Sequence, residues 1–306
     1  MAAYKPGLAA FAGATVAWAF VPVVMGAFTT TIGAGMVFPD WPLSNGSLNP
    51  TGWLQNVQMF AEHSHRLTVG VLSFLTVGLA IWLQRREERR WLRQLGWFAV
   101  VLVFAQALLG GLRVLFVSEL LAGIHACVAQ AFVCTLLAIA AGCTRGWIAA
   151  PVPVSGALRR AGTICCVFLF IQLGIAAVMR HSQAGLAIPF FPWSGPGHRL
   201  LPEAWDFKIA IHFAHRLMAL VVACSLAWFA VKLWRDPGAT LGMRSGASAM
   251  VSLVALQILL GAAIIRTYRD PMITTAHVVV GALTLATTFW ITWRAHRDLM
   301  ESPAAP

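Results

Sequence analysis

Eight apolar runs punctuate the chain, each long enough or nearly so to cross a ~30 Å hydrocarbon layer as a helix of about 20 residues. They lie near 8–29, 58–83, 94–116, 120–142, 161–181, 207–233, 247–266 and 272–294. Short polar junctions separate most of them. Two junctions are long, 30–57 and 182–206, and both are rich in Pro, Gly and Trp. The pattern predicts an all-α membrane protein of eight transmembrane helices with two partly ordered caps on one surface. The run from Leu8 to Phe28 exceeds a signal-peptide core and further spans follow it, so it reads as a retained first helix.

Positive charge orients these helices. Most of the 22 Lys and Arg sit at the termini or at even-numbered junctions. They are Lys5, the cluster from Arg85 to Arg93, Arg145, Arg159, Arg160, Lys232, Arg235, Arg244, Arg294 and Arg297. The positive-inside bias puts those junctions in the cytoplasm. Both termini then face the cytoplasm of a bacterial-type cell membrane, and 30–57 and 182–206 lie outside.

Composition sharpens what is excluded. Charged residues make up 11% of the 306 positions and hydrophobic ones 59%, where soluble proteins carry roughly 25% charge. Mean hydropathy is +0.75. A disordered chain, a secreted disulfide scaffold and an ordinary soluble enzyme are ruled out. The net charge of +11 would suit a nucleic-acid partner if it formed one surface. It is instead clustered between apolar spans, so the expected environment is membrane lipid and no nucleic acid. The six cysteines (Cys127, Cys134, Cys143, Cys165, Cys166, Cys224) lie in spans or at their ends, and none lies in an outer loop. They read as small packing residues rather than a disulfide framework.

An internal repeat organises the chain at an offset of 150 to 152 residues. Ala34 to Pro42 aligns with Ala184 to Pro192, His65-Arg66-Leu67 with His215-Arg216-Leu217, and Gln106 to Gly110 with Gln257 to Gly261. His125 aligns with His277. The architecture expected is two tandem, pseudo-symmetric four-helix bundles, 1–150 and 151–306, related by an axis along the membrane normal.

Four histidines therefore stand at equivalent depth near the outer face: His65 and His125 in one half, His215 and His277 in the other. Facing imidazoles from two helices make a natural pair of axial haem ligands. A single histidine there would more often be bonded to a neighbouring helix; a pair repeated at matching depth favours ligation. Arg66 and Arg216 follow ligand histidines, and Arg113 and Arg266 end the third helix of each half. Their planar forks suit haem propionates, with lipid-interface anchoring as the alternative for the last two. Glu62 precedes His65 by three residues and shares its helical face, whereas the equivalent position of the other half holds His212. A carboxylate beside one site alone points to chemistry there and a held redox cofactor in the other half. Its alternative is a helix N-terminal charge. His63 points away from the pair and is given no role.

The stretch Gly26 to Pro42, Glu62-His63-Ser64-His65-Arg66-Leu67, and then His125, His215-Arg216 and His277 resemble the haem A synthase family over nearly the whole chain. The resemblance implies an oxidoreductase of haem A biosynthesis and porphyrin metabolism that serves terminal oxidases. It would oxidise the C8 methyl of haem O to the formyl of haem A by successive two-electron steps, with a bound haem b as cofactor. It assigns His65 and His125 to the substrate-haem half, Glu62 to that half's functional glutamate, and His215 and His277 to the haem b ligands. Delivery of haem O by haem O synthase would follow; the electron acceptor and oligomeric state stay open. Glu62 could accept a proton, orient water or stabilise positive charge. Some members carry a cysteine pair in the first outer loop. Here Val37 and Ser44 stand near those positions, so a mechanism requiring the pair cannot operate.

Two rivals use the same features. A di-haem b-type cytochrome would need the four histidines but not Glu62. A transporter would be expected to show paired Gly/Pro interruptions at mid-membrane, and these helices have none.

Overall fold

A computed structural model describes residues 3–149 and 152–301. Its helices, in chain order, are α1 (Pro6–Thr31), α2 (Val57–Arg86), α3 (Arg90–Leu115), α4 (Glu119–Gly142), the short α5 (Arg145–Ile148), α6 (Gly156–His181), α7 (Phe207–Arg235), α8 (Leu241–Arg266), α9 (Pro271–Ala295) and the short α10 (Arg297–Glu301). Eight are long and apolar enough to cross a membrane, and no strand occurs among the described residues. The protein is a multi-pass, all-α membrane protein, as the apolar pattern predicts.

Several helices start earlier than the apolar runs, because a helix continues into the interface until a cap stops it. Ser155 accepts a hydrogen bond from the Leu158 amide (3.2 Å), and Thr240 from that of Met243 (3.3 Å). Asn56 caps α2 through the amides of Gln58 and Met59 (2.9 and 3.1 Å), and Asp206 caps α7 through that of Ile209 (2.7 Å). Each side chain satisfies an amide that the first helical turn leaves unpaired.

In the first half α1 packs on α2, α2 on α3, α3 on α4, and α4 returns to α1. In the second half α6, α7, α8 and α9 close in the same order. Leu79, Leu83, Leu136 and Ile139 are fully buried in the first group, and Leu158, Leu226, Phe229 and Ile291 in the second. Contacts of α4 with α6 and α9, and of α1 with α9, join the groups. The expected boundary at 150/151 lies outside the described residues. Phe74, Phe104, Leu220 and Leu259 point outward, where lipid tails replace a protein neighbour. All six cysteines are free, and Cys134 packs into the core of the second group.

At the end of the molecule away from the long loops, a polar latch fastens the two groups. Glu87, 4% exposed, accepts from the Arg89 side chain (2.9 Å) and amide (3.0 Å). Arg89 also donates to Gly142 O (3.0 Å) and Glu301 Oε1 (3.1 Å). The same Glu301 oxygen accepts from the indole of Trp147 (2.6 Å), a fully buried ring packed against Trp91 and Trp293. Burial pushes the Glu87 carboxyl up, but Arg89 pulls it further down, so it lies below the usual carboxylate value. Arg89→Ala strands that carboxylate. Its expected cost is about 3 kcal/mol, the lower end for breaking a buried ion pair. Thermal unfolding of the purified protein in detergent reads it, and an unchanged midpoint would deny the latch a role in stability.

Candidate functional site

Each of the four histidines is braced by the helix next to its own. His65 on α2 has Nδ1 3.0 Å from Pro22 O of α1. Its ring lies so close to Gly26 that a Cβ there would sit 2.9 Å from Cε1. His125 on α4 lies over Gly110 of α3 with the same economy, 3.2 Å from where a Cβ would be, and its carbonyl accepts from Gln106 Nε2 (3.1 Å). In the second half the amide nitrogen of Gln172 on α6 lies 3.0 Å from His215 Nδ1 and donates to His215 O (3.1 Å). His277 on α9 has Nδ1 3.1 Å from Gln257 O and Nε2 3.2 Å from Gln257 Nε2, over Gly261. The rings of each half lie within electrostatic reach of one another, His65 with His125 and His215 with His277.

This donor set fits haem iron. An imidazole whose Nδ1–H is held by a carbonyl keeps its lone pair on Nε2, the form that binds metal. His65 has that arrangement; His277 has its Nδ1 on Gln257 O, and its Nε2 would be released by the Gln257 side-chain amide swinging away. His125 Nδ1 is buried without a partner. The Oε1 atoms of Gln172 and Gln257 are likewise unpaired; a half-turn of the Gln172 amide would offer its oxygen to His215 Nδ1–H and free Nε2 there. Among the described residues no cluster of three or more His, Cys, Asp or Glu competes for a metal ion.

Above each pair the outer loop is pinned to the helix that carries the first histidine. Glu62, 4% exposed, accepts the amides of Val37 (2.7 Å) and Phe38 (3.1 Å) on Oε2 and the Arg66 guanidinium (2.5 Å) on Oε1. Arg66 also donates to the carbonyls of Phe38 (3.2 Å), Asp40 (2.8 Å) and Leu43 (2.5 Å). In the second half His212 Nδ1 lies 3.2 Å from the Ile188 amide and its Nε2 3.2 Å from Arg216 Nε, of which a neutral ring accepts from one, while Arg216 donates to Ile188 O (2.9 Å) and Trp193 O (3.0 Å). Glu62 and His212 thus share a loop-holding duty that their residue types hide. Asp40 stiffens the first loop by accepting from Gly46 and Asn45 (both 2.7 Å); the Gly46 bond, opposed by some burial, helps hold its carboxyl below the usual value.

His63 has a place that the sequence reading missed. It is 3% exposed, hydrogen-bonds Ser44 Oγ (3.0 Å) and packs on Trp53, with ring centroids 4.7 Å apart. Val37 and Ser44 are therefore both held by α2, through Glu62 and His63. Pro22 and Gln172 were also missed as braces. A glutamine in the middle of an apolar run was the available signal for Gln172.

The two helix-end arginines part company. Arg113 donates to Gly35 O (2.8 Å) across a site that any Cβ at residue 35 would obstruct. Arg266 is exposed and makes no hydrogen bond or ion pair among the described residues. Helical phase explains this. Arg113 follows Gln106 by seven residues, about 20° short of two full turns, whereas Arg266 follows Gln257 by nine, half a turn out of phase.

Eight spanning helices with a braced pair of histidines in each half define a multi-pass helical membrane protein with two like sets of intramembrane imidazoles. The chain belongs to the COX15-CtaA family, described as cytochrome oxidase assembly protein, whose sequence model matches residues 9–289. It is 30% identical over 228 residues to a protein named Heme A synthase from Bacillus licheniformis, covering 66% of this chain and 74% of that one. A Heme A synthase from Geobacillus kaustophilus is 27% identical over 276 residues, covering 87% and 84%. One from Listeria monocytogenes is 25% identical over 268 residues, covering 85% of each. The family expected from the sequence is borne out.

Proposed function

We propose that the protein is a haem A synthase that oxidises the C8 methyl of haem O to a formyl group. The observation that carries this reading is an asymmetry within a repeat. Both halves hold a braced imidazole pair under a clamped loop, and only the first places a carboxylate, Glu62, one turn from a ligand histidine. The name of the similar bacterial proteins, Heme A synthase, supports formation of haem A. The first half (1–150) would take haem O between His65 and His125, and the second (151–306) haem b between His215 and His277. Haem b, when bound, supplies reversible one-electron redox chemistry that no side chain has.

The chain's own residues do the rest. Pro22 O and Gln257 O orient their imidazoles through Nδ1, and Gln106 fixes the backbone at His125. The clamped outer loops cover the outer edge of each site and keep water from it. Arg113, with Arg66 and Arg216 beneath the loops, would supply positive charge to a haem's propionates at the outer end of each site; Arg266 would serve the interface. A porphyrin methyl is activated because positive charge or an unpaired electron there spreads into the ring. Glu62, one turn from His65, would accept a proton leaving that carbon or stabilise the charge there. Each two-electron oxidation would add one oxygen at the level of water and release two protons and two electrons to an external acceptor, giving the alcohol and then the aldehyde hydrate, which loses water to the aldehyde. Both termini would face the cytoplasm of a bacterial membrane, since basic residues crowd the end of the bundle away from the loops, and haem O would be delivered by haem O synthase.

Pigment extraction from the purified protein, resolved by chromatography, tests the reading. Haem O and haem A beside haem B are expected. Haem B alone would select an electron-transferring di-haem cytochrome instead.

A further inference from the structure

The second site lacks its own version of Arg113. The position in phase with Gln257 on α8 is Ile264, Arg266 faces away, and the space over Gly185 is open where Arg113 fills the equivalent space at Gly35. A haem there would still present carboxylates toward the outer face, in a partly apolar setting where an unpaired charge is costly.

Arg180, near that site, has no anionic partner among the described residues, and unlike Arg216 it is not tied to the outer loop. Arg180 ends α6, eight residues beyond Gln172, so it stands about 12 Å nearer the outer face and about 80° round the helix. Its Nη2 donates to Ala27 O (3.0 Å) and Thr31 Oγ1 (2.8 Å), both on α1 of the other half. No carboxylate lies within ion-pair distance among the described residues, and Nη1 and Nε make no hydrogen bond there. The guanidinium lies close enough to His277 for its charge to reach the ring, and Arg269 adds a second positive charge nearby. The equivalent residue of the first half is Thr30, which bonds only its own helix, at Gly26 O (2.9 Å). Outside the loop clamps, an arginine reaches across from α3 in the first half and from α6 in the second.

We propose that Arg180 binds a propionate carboxylate of the haem held by His215 and His277, and ties that haem edge to α1 of the substrate half through Ala27 and Thr31. The proposal rests on the two-haem reading above. Arg180 would then touch both the cofactor's carboxylate and the other half's backbone.

The test compares Arg180→Gln and Arg180→Lys with the parent, by visible spectrum and redox titration of the b-type haem and by haem retention on dilution in detergent. Loss of one charge-assisted hydrogen bond predicts about tenfold weaker retention in the Gln variant, with the midpoint potential moved negative because the propionate charge is no longer offset. The Lys variant should recover most of the potential. Reconstitution with the dimethyl ester of the same porphyrin removes the carboxylates, and there parent and Arg180→Gln should retain haem equally. An Arg180→Gln protein with parental retention and potential would overturn the proposal. So would an equal loss with free-acid and ester haem, or a fall in co-purifying phosphate with the haem unaffected, which would make the partner a lipid headgroup. If Arg180→Gln does not fold, the parent alone decides: it must hold the free acid more tightly than the ester. A parent with no His215- and His277-dependent b-type spectrum would instead sink the two-haem reading itself.

Discussion

His215→Ala and His277→Ala should each abolish the low-spin b-type spectrum of the purified protein while leaving the eight-span fold in place. Low-spin haem requires a strong ligand on both faces of the iron, so either loss is complete rather than partial. The fold should survive because each ring is braced by one neighbouring side chain or carbonyl and lies outside the buried leucine clusters. Removing an imidazole also leaves the Gln172 or Gln257 amide short of a partner, a cost of about 1–3 kcal/mol that a 25-residue apolar helix tolerates. Visible spectra of dithionite-reduced protein, normalised to far-UV helicity, give the result. Retention of the full spectrum in both variants would place haem b elsewhere. The matching His65→Ala and His125→Ala proteins should keep that spectrum and lose haem O instead.

How much of this was legible in the sequence differs between fold and site. The eight spans were readable because lipid imposes a length and a composition on anything that crosses it. Helix starts such as Gly156 and Leu241 were not, because hydropathy reports the lipid layer whereas capping by Ser155 and Thr240 sets the helix. The repeat located four histidines that do lie in pairs, since a 150-residue offset preserves depth. It misled on Arg266. An arginine two residues out of phase with its counterpart looks equivalent along the chain and stands on the opposite side of the helix.

The loop clamps were the least legible part. A hydrogen bond from Val37 N or Phe38 N to Glu62 depends on how 30–57 folds back, and no periodicity encodes that. The pairing of Glu62 with Arg66 one turn later is a recognisable helical spacing, yet its partner carbonyls at Asp40 and Leu43 are not. His63 illustrates the same gap. Its helical phase correctly kept it away from the imidazole pair, and only the folded loop shows that it meets Ser44 and Trp53.

The largest effect on chemistry is expected from Glu62→Gln. The variant should insert, show the b-type spectrum of the second half, and accumulate haem O or a partly oxidised product in place of haem A. A lost proton acceptor or charge-stabilising group costs about a hundredfold or more in rate. The structure adds a complication, because Glu62 also pins the outer loop. Glutamine can keep an oxygen on the amides of Val37 and Phe38, but its –NH2 would then face the Arg66 guanidinium, setting donor against donor where the ion pair was. Part of any defect could therefore come from a loosened loop. Arg66→Gln separates the two causes, because it breaks the same ion pair and several loop carbonyl bonds yet leaves the carboxylate in place. If Glu62 takes part in the oxidation, Glu62→Gln should lose haem A far more severely than Arg66→Gln, with haem O still bound. If its only work is to hold the loop, the two should fall together, and Arg66→Gln should fall further because it releases more of the loop. Chromatography of extracted haems beside limited proteolysis of the 30–57 segment measures both quantities on one preparation. Parental haem A from Glu62→Gln would remove the carboxylate from the chemistry and leave the residue a holder of the loop.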